Sequence, residues 1–175
     1  MTIPWEAHGG RLEATYQRYF PIIRDKCRRM LSTHEDAQDV AQETFIRLWK
    51  ARLGGADPAA VTAWVFRTST RLAIDHLRRR RRENGGPRPQ DDDREPESVA
   101  SDLETSLAAR QELERIARAV PRRELEMAIL SRVDGLVQTE IAEVLETSER
   151  TVRRVLGRFD ARLAALRTTP EVSHG

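Results

Sequence analysis

Cysteine is almost missing from this sequence: Cys27 stands alone in 175 residues. One thiol rules out an internal disulfide and any zinc site built on cysteines, and it suits a reducing compartment. The four histidines (His8, His34, His76 and His174) are scattered without ligand spacing, so neither a metal nor a cofactor is expected. Aromatic residues make up only 5%, which fits small helical domains with modest cores and not a large α/β enzyme. No apolar run approaches membrane-spanning length, and the opening MTIPWEAHGG has neither part of a signal peptide. A soluble cytoplasmic chain with no membrane insertion is the expectation. Strand-type alternation is absent as well, which leaves an all-α fold class.

An excess of one charge is also missing overall: 30 basic residues face 28 acidic ones, for a net +2. The isoelectric point is nevertheless about 9.1, and the bases are overwhelmingly arginine, whose planar fork suits phosphates and guanine edges. The near-balance hides a strong local asymmetry. Arg67 to Arg82 holds seven arginines against one aspartate, whereas Glu83 to Glu104 holds eight acids against two arginines, a balance of −6.

That second stretch is rich in Pro, Gly and acid and poor in large apolar residues, so it reads as a flexible acidic linker over 83–104. Two small helical domains flank it, 10–82 and 105–168. Within the first, helical periodicity is expected to break at Pro21, around Ser32-Thr33, and at LGGADP.

The segment THEDAQDVAQETFIRLWK opens with a helix-entry signal at Ser32 or Thr33. At about 100° per residue, Ala37, Val40, Ala41, Thr44, Phe45 and Leu48 share the core arc. Asp36, Asp39 and Glu43 share a narrower arc beside it, flanked by Gln42, Ile46 and Trp49. A purely solvated face has no need of an isoleucine and a tryptophan beside its acids, so a protein partner is indicated. A metal site on the acidic trio would need ligands from elsewhere, and none is evident. After GGADP, Val61, Trp64, Val65, Thr68, Leu72 and Leu77 recur at helical spacing, with Ala73 and Ile74 filling in. Arg67, Arg71 and Arg78 lie outside that stripe, able to track a phosphate backbone.

DAQDVAQETFIRLW followed by AWVFRTSTRLAIDHLRRRRR resembles the second conserved region of bacterial RNA polymerase sigma factors, above all the two-domain extracytoplasmic-function group. The resemblance implies a chain that binds core RNA polymerase and directs promoter recognition and DNA opening, without being an enzyme. It implies that the acidic helix docks on the clamp helices of the largest subunit through Asp36, Asp39, Gln42, Glu43, Ile46, Arg47 and Trp49. By the same resemblance the loop from Gly54 to Thr62, including Gly54, Gly55 and Asp57, holds a flipped base of the −10 element. Arg67, Arg71, Asp75, Arg78 and Arg79 then lie near the melted strand. The family's linker threads toward the RNA path, which the acidic balance here would suit. An anti-sigma factor enters as a further partner of the family, and no residue here decides for or against one.

The second domain answers the same requirement independently. PRRELEMAIL gives a stripe of Leu125, Ala128, Ile129 and Val133 ending at Asp134-Gly135; Ile141, Ala142, Val144 and Leu145 give a short second helix. Ser148 then stands as N-cap before ERTVRRVLGRF, whose inner face is Val152, Val155, Leu156 and Phe159. A short helix, a tight turn and a basic helix make a helix-turn-helix, with Glu149, Arg150, Arg153 and Arg154 free to read bases in the major groove. The segment resembles the family's fourth region, which reads the −35 element beside the polymerase flap region; Ser148, Thr151 and Arg158 join the DNA-binding set by that resemblance. Two residues depart from the family pattern. Val137 replaces the hydroxyl residue that caps the helix before EIA, leaving Thr139 as the expected cap, and Glu146 replaces the turn glycine. The alternative function is a helix-turn-helix regulator that acts without joining polymerase. A nuclease built on Asp75-His76 and the acidic trio fails because these groups lie on separate helices without metal spacing.

Overall fold

The computed structural model describes residues 4–53, 56–83 and 100–168, with side chains over 12–53, 56–79 and 108–168. Seven helices are found among these residues and no strand. The all-α class is as expected.

The first unit is three helices. Helix α1 (Pro4–Met30) runs straight through Pro21, where a break was expected. Proline removes one backbone donor, but Pro21 is exposed, so water can serve the carbonyl it leaves unpaired. Ile23, Cys27 and Met30 behind it are fully buried, and that packing holds the helix together. Arg28 and Arg29 complement the negative end of its dipole. Helix α2 (His34–Lys50) starts at Thr33, whose hydroxyl accepts the Asp36 N–H at 3.0 Å. Its buried residues are the six expected on the core arc. Phe45 sits at 5.2 Å from Tyr16 and 5.8 Å from Phe20, an aromatic clamp between α1 and α2. Helix α3 (Pro58–Glu83) begins on a proline, well suited to a first helical position, and continues through the arginine run.

The second unit holds α4 (Ala100–Ala119), α5 (Arg122–Arg132), α6 (Gln138–Val144) and α7 (Glu149–Thr168). Helix α4 opens at Ala100, inside the stretch read from composition as linker; residues 84–99 and the tail after Thr168 lie outside the described residues. Between α5 and α6 Gly135 takes φ +73°, the left-handed conformation that glycine adopts most cheaply. Between α6 and α7 the backbone closes a Schellman turn, with Thr147 N–H on the Ala142 carbonyl at 2.9 Å and Glu146 N–H on Glu143 at 3.2 Å. Glu146 sits at φ +52° there, so the absent glycine leaves a side chain in a strained region. The cap expected at Thr139 is not used: the N-cap falls two residues earlier, at Val137, and α6 begins at Gln138. Valine offers no acceptor, and only the reciprocal half of a capping box forms, from Val137 N–H to Glu140 Oε2 at 2.8 Å.

The two units share one core. A single cluster of buried side chains runs from Ile23, Cys27, Ile74 and Leu77 into Ile116, Val120, Leu125, Ile129 and Phe159. A second cluster, with Met127, Leu130, Ile141, Val152 and Val155, fills the space among α5, α6 and α7. Helix α5 lies between them and is buried on every side from Glu124 to Leu130.

Candidate functional site

Three exposed or polar faces bear on function. On α2, Asp39, Gln42, Ile46 and Trp49 stack at helical spacing along one outward strip. Ile46 is 44% exposed and Trp49 67%, beside the Glu43–Arg47 ion pair at 2.7 Å. Asp36 is turned away from that strip and faces His76 Nε2 of α3 at 3.3 Å. It belongs to the α2–α3 seam more than to the outer face.

On α3, Arg67, Arg71, Asp75 and Arg78 of the expected strand-holding residues are gathered on one side and paired with the second unit, Arg71 and Asp75 staying part-exposed. Arg67 reaches Glu146 Oε1 at 2.7 Å and the Val144 carbonyl at 3.3 Å. This contact lowers the Glu146 carboxyl below the usual carboxylate range. Arg71 donates to Glu126 Oε1 at 2.6 Å, and Arg78 caps the end of α4 through the Ala117 and Val120 carbonyls, both at 3.0 Å. Asp75 accepts both arms of Arg122, at 2.6 and 3.0 Å. Arg79 and Asp57 are exposed; Gly54 and Gly55 lie outside the described residues.

On α7, Ser148 is the N-cap as expected, its Oγ accepting the Thr151 N–H at 3.2 Å, and Thr151 is half-buried beside it. Glu149, Arg150, Arg153 and Arg154 project outward from the first turns, Arg153 lying 3.4 Å from Gln138 of α6. Arg158 is half-exposed and paired within the chain: it and Arg162 clasp the buried carboxylate of Glu124 at 3.2 and 2.8 Å. That places it as a brace between α5 and α7.

Sequence reading missed the most buried charge of the described residues. Lys26 of α1 is fully enclosed; its Nζ meets Asp134 Oδ2 and Thr70 Oγ1, each at 2.6 Å, with Ser69 Oγ at 3.4 Å. Burial lowers the Lys26 ammonium from its ordinary value and raises the Asp134 carboxyl, each countered in part by the other. The available signal was a lysine within the Ile23, Cys27, Met30 stripe, where a solvated base is out of place. Among the described residues no three His, Cys, Asp or Glu side chains gather where a metal ion could be held.

The Sigma-70 region 2 family profile matches residues 15–83, covering α2, α3 and most of α1. The chain is 34% identical over 140 residues to the RNA polymerase sigma factor CnrH of Cupriavidus metallidurans, an alignment covering 75% of this chain and 73% of CnrH. The chain belongs to the extracytoplasmic-function sigma factors. Two further members of that family match over shorter spans. SigE of Mycolicibacterium smegmatis is 30% identical over 131 residues, 71% of this chain and 49% of SigE. SigG of Mycobacterium tuberculosis is 33% identical over 79 residues, 45% of this chain and 21% of SigG. The chain thus spans about a fifth of SigG and about half of SigE. Both family-level expectations drawn from the residues, an all-α fold and sigma membership, hold.

Proposed function

We propose that this chain is a promoter-specificity subunit of RNA polymerase. It docks on core polymerase through the outer strip of α2, engages the −10 element with α3 and the loop before it, and reads the −35 element with the first turns of α7. It carries no catalytic centre of its own, nucleotide addition belonging to polymerase, and it works in the cytoplasm. No described helix is long and apolar enough to cross a membrane.

The observation that carries the reading is the strip on α2. Ile46 and Trp49 stand in water beside Asp39 and Glu43, an apolar centre with an acidic rim, which is the anatomy of a protein-docking patch. A DNA-binding regulator that never meets polymerase has no use for it. Supporting it is α7, where a capped helix presents Arg150, Arg153 and Arg154 outward. Each DNA-contacting patch is small, so affinity depends on both being held on polymerase together.

The test is run-off transcription with purified bacterial core polymerase on the upstream region of the chain's own gene. A defined transcript that needs this chain, and is lost in Asp39→Lys/Glu43→Lys, is the expected result. Specific DNA binding by the free chain as a dimer, with neither transcript nor complex with core, would overturn the reading in favour of a regulator.

A further inference from the structure

Glycine is unfavourable inside an exposed helix, because it loses more chain entropy on folding than any other residue and packs against nothing. Helix α7 nevertheless carries Gly157 in its third turn. Nothing in the chain itself asks for a glycine there. Gly157 is exposed, and a methyl group on its Cα would have no atom within 4 Å beyond its own stretch of helix. At about 100° per residue, Gly157 falls on the outward strip with Arg150, Arg153 and Arg154, opposite the buried Val152, Val155 and Phe159. The long side chains on either side of it are tied elsewhere. Arg153 lies 3.4 Å from Gln138 of α6, and Arg158 is held at 3.2 Å by Glu124 of α5. Ala161, one turn further on, is exposed and short. The strip therefore runs from arginines into a bare patch of backbone.

We propose that Gly157 is a specificity-determining residue of the −35 contact, a gap in the face of α7 that admits the 5-methyl group of a thymine. The inference rests on the reading of α7 as the helix that enters the major groove. Gly157 stands eight residues beyond Glu149, about 12 Å along the axis, and the groove is about 12 Å wide. A helix that enters by its first turns therefore still has Gly157 inside the groove. A phosphate or a polar base edge would need a donor or acceptor at that point, and the helical backbone already engages its own in intrahelical bonds. What remains is a surface of carbon and hydrogen. The thymine methyl is the apolar group that base pairs present in the major groove. A Cβ at position 157 would fill the same space and hold Arg153 and Arg154 away from their base edges.

The experiment compares the full chain with Gly157→Ala in run-off transcription with core polymerase. Two templates carry the upstream region of the chain's own gene, one with thymine throughout and one with deoxyuridine in every place of thymidine, primers included. The second has the same hydrogen-bonding edges and no 5-methyl groups. Any effect of the missing methyls at the −10 element is common to both proteins and cancels in the comparison. The template concentration for half-maximal transcript is read for each pair, and thermal unfolding is followed by circular dichroism. Gly157→Ala should melt at or above the wild-type temperature, since alanine is the better helix former. On the thymine template it should need about tenfold more template, the cost of one mismatched base contact. On the deoxyuridine template the two proteins should agree within about twofold, because the hole in the DNA then takes the added Cβ. Equal behaviour on the thymine template, or an equal loss on both templates, would overturn the inference while the sigma reading stands. So would a Gly157→Ala that melts below wild type, which would make the glycine a requirement of the fold. No transcript from wild type on either template would remove the −35 reading itself, and the inference with it.

Discussion

The enclosed Lys26–Asp134 pair supports a quantitative test. Replacing Lys26 by methionine leaves the Asp134 carboxylate, whose side chain is 2% exposed, without its cation; replacing Asp134 by leucine strands the ammonium in the same way. Breaking one side of a buried pair costs about 3–5 kcal/mol. Replacing both with apolar side chains of similar size removes two desolvated charges together, and such swaps are neutral or stabilising by up to about 4 kcal/mol. The sign of the pH dependence follows from the same burial. Asp134 titrates above its ordinary value, so its contribution is present below the normal carboxylate range and is lost as pH rises through the raised value. Lys26 titrates below its ordinary value, so its contribution is present above the normal lysine range and is lost as pH falls through the lowered one. Between these windows both charges are held against their solvation. The assay is urea unfolding of wild type, Lys26→Met, Asp134→Leu and the double variant, repeated across pH. Each single should lose about 3 kcal/mol or more, while the double should equal or exceed wild type with a flatter pH profile. Single losses under about 1 kcal/mol that simply add in the double would refute the argument that the pair is both closed to water and strongly coupled.

Val137→Thr supplies the acceptor that α6 lacks at its N-cap, and urea unfolding should show a gain of about 1 kcal/mol. Trp49→Ala should leave stability within about 0.5 kcal/mol because the ring is mostly in water; its effect belongs to the complex, where sizing-column or biosensor binding to core polymerase should fall about tenfold or more. Cys27 is fully buried and burial pushes its thiol up to about 12; it should resist a thiol reagent in the native chain and react on the timescale of unfolding.

The six core positions of α2 were readable because an amphipathic helix repeats every 3.6 residues and meets one neighbour. Ser148 was readable because capping is local chemistry, and it caps α7 as written. Pro21 misled because tertiary burial of Ile23 and Cys27 outweighs a local preference. Thr139 misled because the preceding turn, with its left-handed Gly135, sets the helix start two residues earlier, with Val137 as cap. Helix α5 was seen as a one-sided stripe; covered on both sides, it also hides Glu124 and Glu126, which a one-helix pattern cannot foresee. The candidate site was legible as residue types but not as contacts. Nothing in the local sequence around Arg67, Arg71 and Arg78 says that their partners lie some 40 to 80 positions away, at Ala117, Glu126 and Glu146.

The core cluster that spans both units sets a thermal signature for their separation. Parting them wets the facing apolar groups, among them Ile74, Leu77, Leu125 and Ile129, and hydrating such surface raises heat capacity. A partner that merely wedges the units open therefore leaves a positive increment in calorimetry. One that lays its own apolar surface over the bared residues restores or exceeds the original burial and gives a negative one. Calorimetry of the complex thus separates a partner that pries the chain open from one that replaces half of its core.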